Sequence, residues 1–184
     1  MPMKPFAVMP LALFLLLGAC GGNDDEIFAK PLICPTVGVL STASHLRATG
    51  GNGEPAYDLE FMRARLQNCD LKKNRMTAEI RFEMRADRGP AMTESDFDFR
   101  YFVALLNPEG GVINKSIEKD SGKFKSDRPQ VFFARSYDDI KFEVPEGKDG
   151  EGYEILVGFQ LSREQFEQSI AKPENAPPVI ETGQ

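Results

Sequence analysis

Met76-Thr77-Ala78-Glu79-Ile80-Arg81-Phe82-Glu83-Met84-Arg85-Ala86 is the stretch that decides the fold class. Every second residue is apolar, and the residues between are Thr, Glu or Arg. That period of two belongs to a pleated strand with one dry face and one wet face. Toward the N-terminus, Tyr57, Leu59 and Phe61 alternate in one phase, then Met62, Ala64 and Leu66 in the other. A slip of one residue is what a β-bulge between Phe61 and Arg63 produces. Residues 70–75 then read as the connecting turn, with Lys72 and Lys73 exposed. Toward the C-terminus, Phe97, Phe99, Tyr101, Val103 and Leu105 form another strand, ended by Asn107-Pro108-Glu109-Gly110-Gly111. Pro fixes φ there and Gly accepts positive φ, so the chain turns back along residues 112–117.

Ile140, Phe142 and Val144 alternate again, and a Gly-rich loop, 145–152, separates them from Tyr153, Ile155, Val157, Phe159 and Leu161. Residues 37–40 supply the first strand. Ser162 and Gln165 have capping-box spacing, which predicts a short helix that buries Phe166 and Ile170 and stops at Pro173. Strands with one polar face, joined by turns, must bury their dry faces on one another. The expectation is an all-β, immunoglobulin-like or fibronectin-like antiparallel sandwich of about seven strands over residues 34–172, with a closed barrel as the alternative. Residues 173–184, rich in Pro, read as a disordered tail.

The 184 residues suit one domain. With 22 Lys plus Arg against 28 Asp plus Glu, the net charge of −6 excludes the basic face that a nucleic-acid binder needs. Fourteen Phe are too many for a disordered chain, and one His with three Cys leaves little for a transition-metal site. No cofactor or metal is expected.

Residues 1–19 read as a lipoprotein signal peptide. Lys4 gives a short positive region, and residues 6–17 are mostly apolar, too few for the roughly 20 residues that span a bilayer core. Leu17-Gly18-Ala19-Cys20 is similar to a bacterial lipobox, in which the Cys20 thiol takes a diacylglyceryl group and cleavage follows before it. Palmitate or a similar acyl chain on Cys20 would complete a stable anchor. Residues 20–33 would then be a lipidated tether. Gly21, where an Asp would retain the protein in the inner membrane of enteric bacteria, points to the outer membrane with the domain facing the periplasm. In that oxidising compartment Cys34 and Cys69 form an even pair, expected to be a disulfide, with two buried free thiols as the alternative.

Further marks are Cys34-Pro35, Arg88-Gly89-Pro90, Tyr101-Phe102-Val103-Ala104 and Leu156-Val157-Gly158-Phe159-Gln160-Leu161-Ser162. With the lipobox, they make the chain resemble a group of uncharacterised alphaproteobacterial outer-membrane lipoproteins, from about Pro35 to Ile170. The resemblance implies an envelope address and supports the disulfide; it carries no activity, ligand or catalytic residue.

Other candidates for chemistry have plainer readings. Asp96 and Asp98 share one side of a strand, an arrangement open to paired acid–base carboxylates, yet a solvated face explains them. Asp149-Gly150-Glu151-Gly152 lacks the spaced oxygen ligands of a hand-type calcium loop. His45 has Ser41, Thr42 and Ser44 as sequence neighbours, whereas a triad is assembled from separated positions. Arg81, Arg85, Lys72, Lys73 and Arg75 form a modest basic patch. No catalytic residue is assigned. The expectation is a non-enzymatic envelope lipoprotein, an accessory or interaction module with an unknown envelope protein partner, using loops 107–111 and 145–152. The alternatives are a small-ligand or glycan binder and, behind it, an envelope hydrolase.

Overall fold

The computed structural model describes residues 31–126 and 128–171. The expected signal peptide over residues 1–19, the expected lipidated Cys20 with most of the expected tether, and the expected disordered tail over residues 173–184 lie outside the described residues. Eight strands form two four-stranded sheets: β1 (Thr36–Val39), β2 (His45–Thr49), β3 (Pro55–Lys72), β4 (Arg75–Arg88), β5 (Asp96–Leu106), β6 (Val112–Lys123), β7 (Gln130–Glu143) and β8 (Glu154–Phe159). The sheet orders are β1-β8-β5-β6 and β2-β3-β4-β7. All neighbours are antiparallel except β1 with β8. The expected sandwich is present, with consecutive β2, β3 and β4 side by side as a meander. Helix α1 (Arg163–Ala171) follows β8. Among the described residues no helix is long and apolar enough to cross a membrane.

The period-two reading of β4 holds along its length: Met76, Ala78, Ile80, Phe82, Met84 and Ala86 are buried, and the residues alternating with them face outward. The register of β3 on β4 shifts between Phe61 and Arg63, at the bulge that the phase slip predicts, and again between Leu66 and Asn68. Met62 is the extra residue of the first bulge and points outward, 47% exposed, instead of joining Ala64 and Leu66. The β3–β4 turn is tighter than expected. Only Lys73 and Asn74 lie outside the strands, both with positive φ (49° and 63°), the two-residue geometry whose twist matches a hairpin.

Aromatic rings knit the sheets together. Phe61 of β3 lies 4.4 Å from Phe159 of β8, and Phe82 of β4 lies 5.1 Å from Tyr101 of β5 (ring centroids). Cys34, just before β1, is disulfide-bonded to Cys69 of β3, with their Cα atoms 6.2 Å apart.

On the open side, where β6 and β7 are the sheet edges, Arg135 of β7 reaches across. It donates to Asp120 at 2.6 Å and to the Ser121 carbonyl at 3.0 Å, so one edge carbonyl of β6 is occupied. The inward positions of β6 are therefore polar, Ser116, Glu118 and Asp120, and its apolar residues Val112, Ile113 and Ile117 are exposed. The expected return strand exists but presents its apolar side to solvent.

Burial pushes the Tyr101 phenol up to about 12, with Glu118 and Asp120 adding to the effect. The fold therefore favours the neutral phenol. Its contribution is complete below the ordinary tyrosine value of 10.0 and is lost as the pH climbs toward 12, because the unfolded chain ionises first. Thermal melts from pH 9 to 11.5 should show falling stability that is shallower in Tyr101→Phe. An identical slope in the variant would exclude Tyr101 as a source.

The helix obeys its cap and breaks its stripe. The Ser162 amide donates to Gln165 Oε1 at 2.8 Å, and the Gln165 amide donates to Ser162 Oγ at 3.2 Å, a reciprocal capping box. Phe166 and Ile170, however, are exposed. The helix turns Gln165 and Ser169 inward instead: Gln165 Nε2 donates to the Arg47 carbonyl and Ser169 Oγ to the Thr42 carbonyl. Free backbone carbonyls on β2 and the Ser41–Ala43 turn attract polar side chains more strongly than that side offers apolar contact.

Candidate functional site

The outer face of the β2-β3-β4-β7 sheet carries the densest unexplained chemistry. Cross-strand register sets its rows. Arg85 opposes Phe132, Glu83 lies between Arg63 and Ala134, and Arg81 lies between Arg65 and Ser136. Ala134 is small, so a hollow of about 620 Å³ opens beside it, lined also by Met62, Arg81 and Phe132. The Met62 bulge lifts one apolar wall, and Phe132, 64% exposed, forms another. Arg63 closes a two-bond ion pair on Glu83, 2.8 Å at each contact, and these hydrogen bonds hold Glu83 below the usual carboxylate range. Arg65 and Arg81 add positive field at Glu83.

Toward α1 the same face becomes a belt of matched charges. Arg85 lies 2.7 Å from Glu60 and 2.9 Å from Asp87, His45 Nε2 lies 3.7 Å from Glu60, and Arg47 lies 2.7 Å from Asp58. Gln165, Gln168 and Ser169 overhang this groove of about 490 Å³. Exposed pairs of this kind contribute about 0–1 kcal/mol each. Each arginine of the belt is already engaged by a carboxylate, and the helix is held above it by the Gln165 hydrogen bond to the Arg47 carbonyl.

The sequence candidates are scattered. Asp96 and Asp98 do share the exposed side of β5, but they are not a coupled dyad. The Ser95 hydroxyl and then the Lys123 ammonium hold Asp96 below the usual carboxylate range, while the Asp98 backbone carbonyl accepts the Tyr57 hydroxyl. His45 opens β2, half-exposed, facing Glu60, while Ser44 Oγ donates to the Ser41 carbonyl at 2.8 Å. Asp149 Oδ1 accepts the Glu151 amide at 3.1 Å, a turn contact. The basic patch divides. Lys72 pairs with Asp70 and Arg75 with Glu143 at the hairpin end, Arg85 belongs to the belt, and only Arg81 borders the hollow.

Loop 145–152 is tied to the start of the domain at Gly150, while residues 145–148, 151 and 152 are exposed. The Gly150 amide donates to the Ile33 carbonyl at 2.8 Å, and a Cβ at Gly150 would stand 2.7 Å from the Pro35 nitrogen. Loop 107–111 lies beside it, Pro108 against Gly152.

Met62, Arg63, Arg65, Glu83 and Phe132 were not among the residues singled out by composition or motif. One signal does point to them: in Phe132-Phe133, adjacent residues of a strand, one ring must face out. Comparison with protein-family models, with curated proteins and with solved structures gave no match.

Proposed function

We propose that this chain is a non-enzymatic cell-envelope lipoprotein, an accessory or interaction module tethered through lipid on Cys20 to the periplasmic side of the outer membrane. The lipobox-like run at residues 17–20 supports the anchor, and the Cys34–Cys69 disulfide suits an oxidising compartment. The observation that carries the contact reading is the exposed Phe132 beside Met62 on an otherwise charged sheet face. Large apolar side chains clustered at a surface are where partners gain most from excluding water.

A photo-crosslinking residue at position 132 of the full chain, in living cells, should give adducts with envelope proteins. The same probe at Asp139, exposed on the same strand, should not. In parallel, Cys20→Ser should abolish processing and membrane fractionation. Absence of adducts at 132 would sink the interaction reading, and unchanged fractionation would sink the anchor. A turnover on envelope substrates, lost in one point variant, would overturn the non-enzymatic reading. The size of the hollow also favours a second reading, a small-ligand or glycan binder, which a thermal-shift screen of metabolites and glycans would register.

A further inference from the structure

Arg65 and Arg81 oppose each other directly across β3 and β4. Both lie on the outer face, since Ile80 and Phe82 on either side of Arg81 point into the core. Directly opposed residues of an antiparallel pair have Cβ atoms about 5 Å apart, and like charges there destabilise the sheet. The two carboxylates beside Arg81 on this strand face are Glu79 and Glu83; Glu83 is bonded to Arg63, and Arg65 and Arg81 act on it only through their field. Among the described residues, no hydrogen bond or ion pair engages the guanidinium of Arg65 or Arg81. Arg47, Arg63 and Arg85 on the same face are each matched. Two guanidiniums opposed across one rung, neither of them in an ion pair, next to an apolar hollow leave room for carboxylates supplied from elsewhere.

We propose that this face receives an acidic, partly apolar segment of a partner protein, its carboxylates on Arg65 and Arg81 and its apolar side chains against Phe132 and Met62. This rests on the interaction reading above and names the partner's chemistry. Guanidinium forks match carboxylates in two-bond geometry. Overall charge selects a segment over an anionic bilayer. The chain carries −6, and a bilayer extending past the patch would meet its acidic surfaces as well. A segment a few residues wide feels chiefly the field within one Debye length, about 8 Å at physiological salt.

The test uses the full chain and a fluorescein-labelled, blocked octapeptide of repeating Leu-Leu-Glu-Glu. Arg65→Gln/Arg81→Gln is expected to bind it about tenfold or more weakly, and Phe132→Ser also more weakly. A version with Lys in place of Glu should not bind. The double variant should also melt at a higher temperature than the parent, because it relieves the repulsion. Weaker binding with higher stability is a combination that a purely structural arginine pair does not give. Equal binding by the double variant, equal binding of the Lys peptide, or no binding at millimolar peptide would each overturn the proposal. So would a lower melting temperature of the double variant. Arginine-dependent binding to phosphatidylglycerol vesicles without peptide binding would reassign the face to membrane. If crosslinks at position 132 persist while the peptide fails to bind, the interaction reading stands and the acidic partner falls.

Discussion

Phe82→Ala is expected to lower the unfolding free energy by about 3–5 kcal/mol, the range for removing a large buried ring. Phe82 is fully buried at the middle of β4, with its ring 5.5 Å from Phe61 and 5.1 Å from Tyr101 (centroids), so it touches both sheets. Its loss removes the apolar transfer term and leaves a cavity bordered by rings that β-sheet backbones hold in place. At roughly 3 °C per kcal/mol for a domain of this size, the melting temperature should fall by about 10–15 °C. Phe82→Leu keeps most of the volume and should cost about 1–2 kcal/mol. Urea melts of both variants decide the matter. A loss below 1 kcal/mol in the alanine variant would mean that the two sheets do not close on this ring.

Removing the cross-link with Cys34→Ser/Cys69→Ser should be comparably severe. The half-cystines are 35 residues apart, and closing a loop of that length constrains the unfolded chain by about 4 kcal/mol in the chain-entropy model. The damage should be local in the native state as well. Chain around Cys34 is held by the Gly150–Ile33 hydrogen bond and by the short β1, so the beginning of the domain loses its strongest attachment. Native-state hydrogen exchange should show β1 opening well below the global unfolding free energy in the double serine variant and not in the parent. Non-reducing peptide mapping of the protein isolated from cells provides the independent check, and two free thiols there would refute the bond.

The legible parts of the fold are those where one face of a strand is uniformly apolar. The central strand of the second sheet alternates without exception, and the bulge after Phe61 could be placed because a single extra residue inverts every later side chain. The strands that escaped were those whose faces are mixed. His45-Leu46-Arg47-Ala48-Thr49 buries only Leu46 well, too little signal for a strand on its own. In β7 the inward position taken by Arg135 and the outward position of Phe132 cancel the alternation, so only residues 140–144 were recognised. The helix stripe failed for the converse reason: Phe166 and Ile170 have helical spacing, but hydrogen-bond demand from Thr42 and Arg47 fixed which side faces in.

Two of the contiguous runs noted in the sequence contain packing residues. Tyr101, Phe102, Val103 and Ala104 are all buried because both faces of β5 are covered there, and a Cβ on Gly158 would come within 2.8 Å of both Ala43 and Phe102. The Gly89 amide ties the end of β4 to the Ala56 carbonyl. Motifs of this kind report how a chain folds. The hollow beside Ala134 depends instead on which residues three strands place side by side, and that is a property of register rather than of any contiguous run.

The position of β8 has a consequence for how the chain comes into being. It lies between β1 and β5, and the Thr36 hydroxyl donates to the Tyr153 carbonyl 117 residues further along. A nascent chain emerging N-terminus first therefore keeps β1 without its sheet neighbour, and β5 with one bare edge, until almost the whole domain has been made. Such edges are templates for association with other chains. Cys34 and Cys69 both precede β8 in the chain, so their bond can tie the start of the domain to β3 without it, while the bare edge of β5 waits on the last strand alone. Ribosomes stalled ahead of residue 154 would release a species prone to aggregate, and a holding chaperone would have its clearest target in β5.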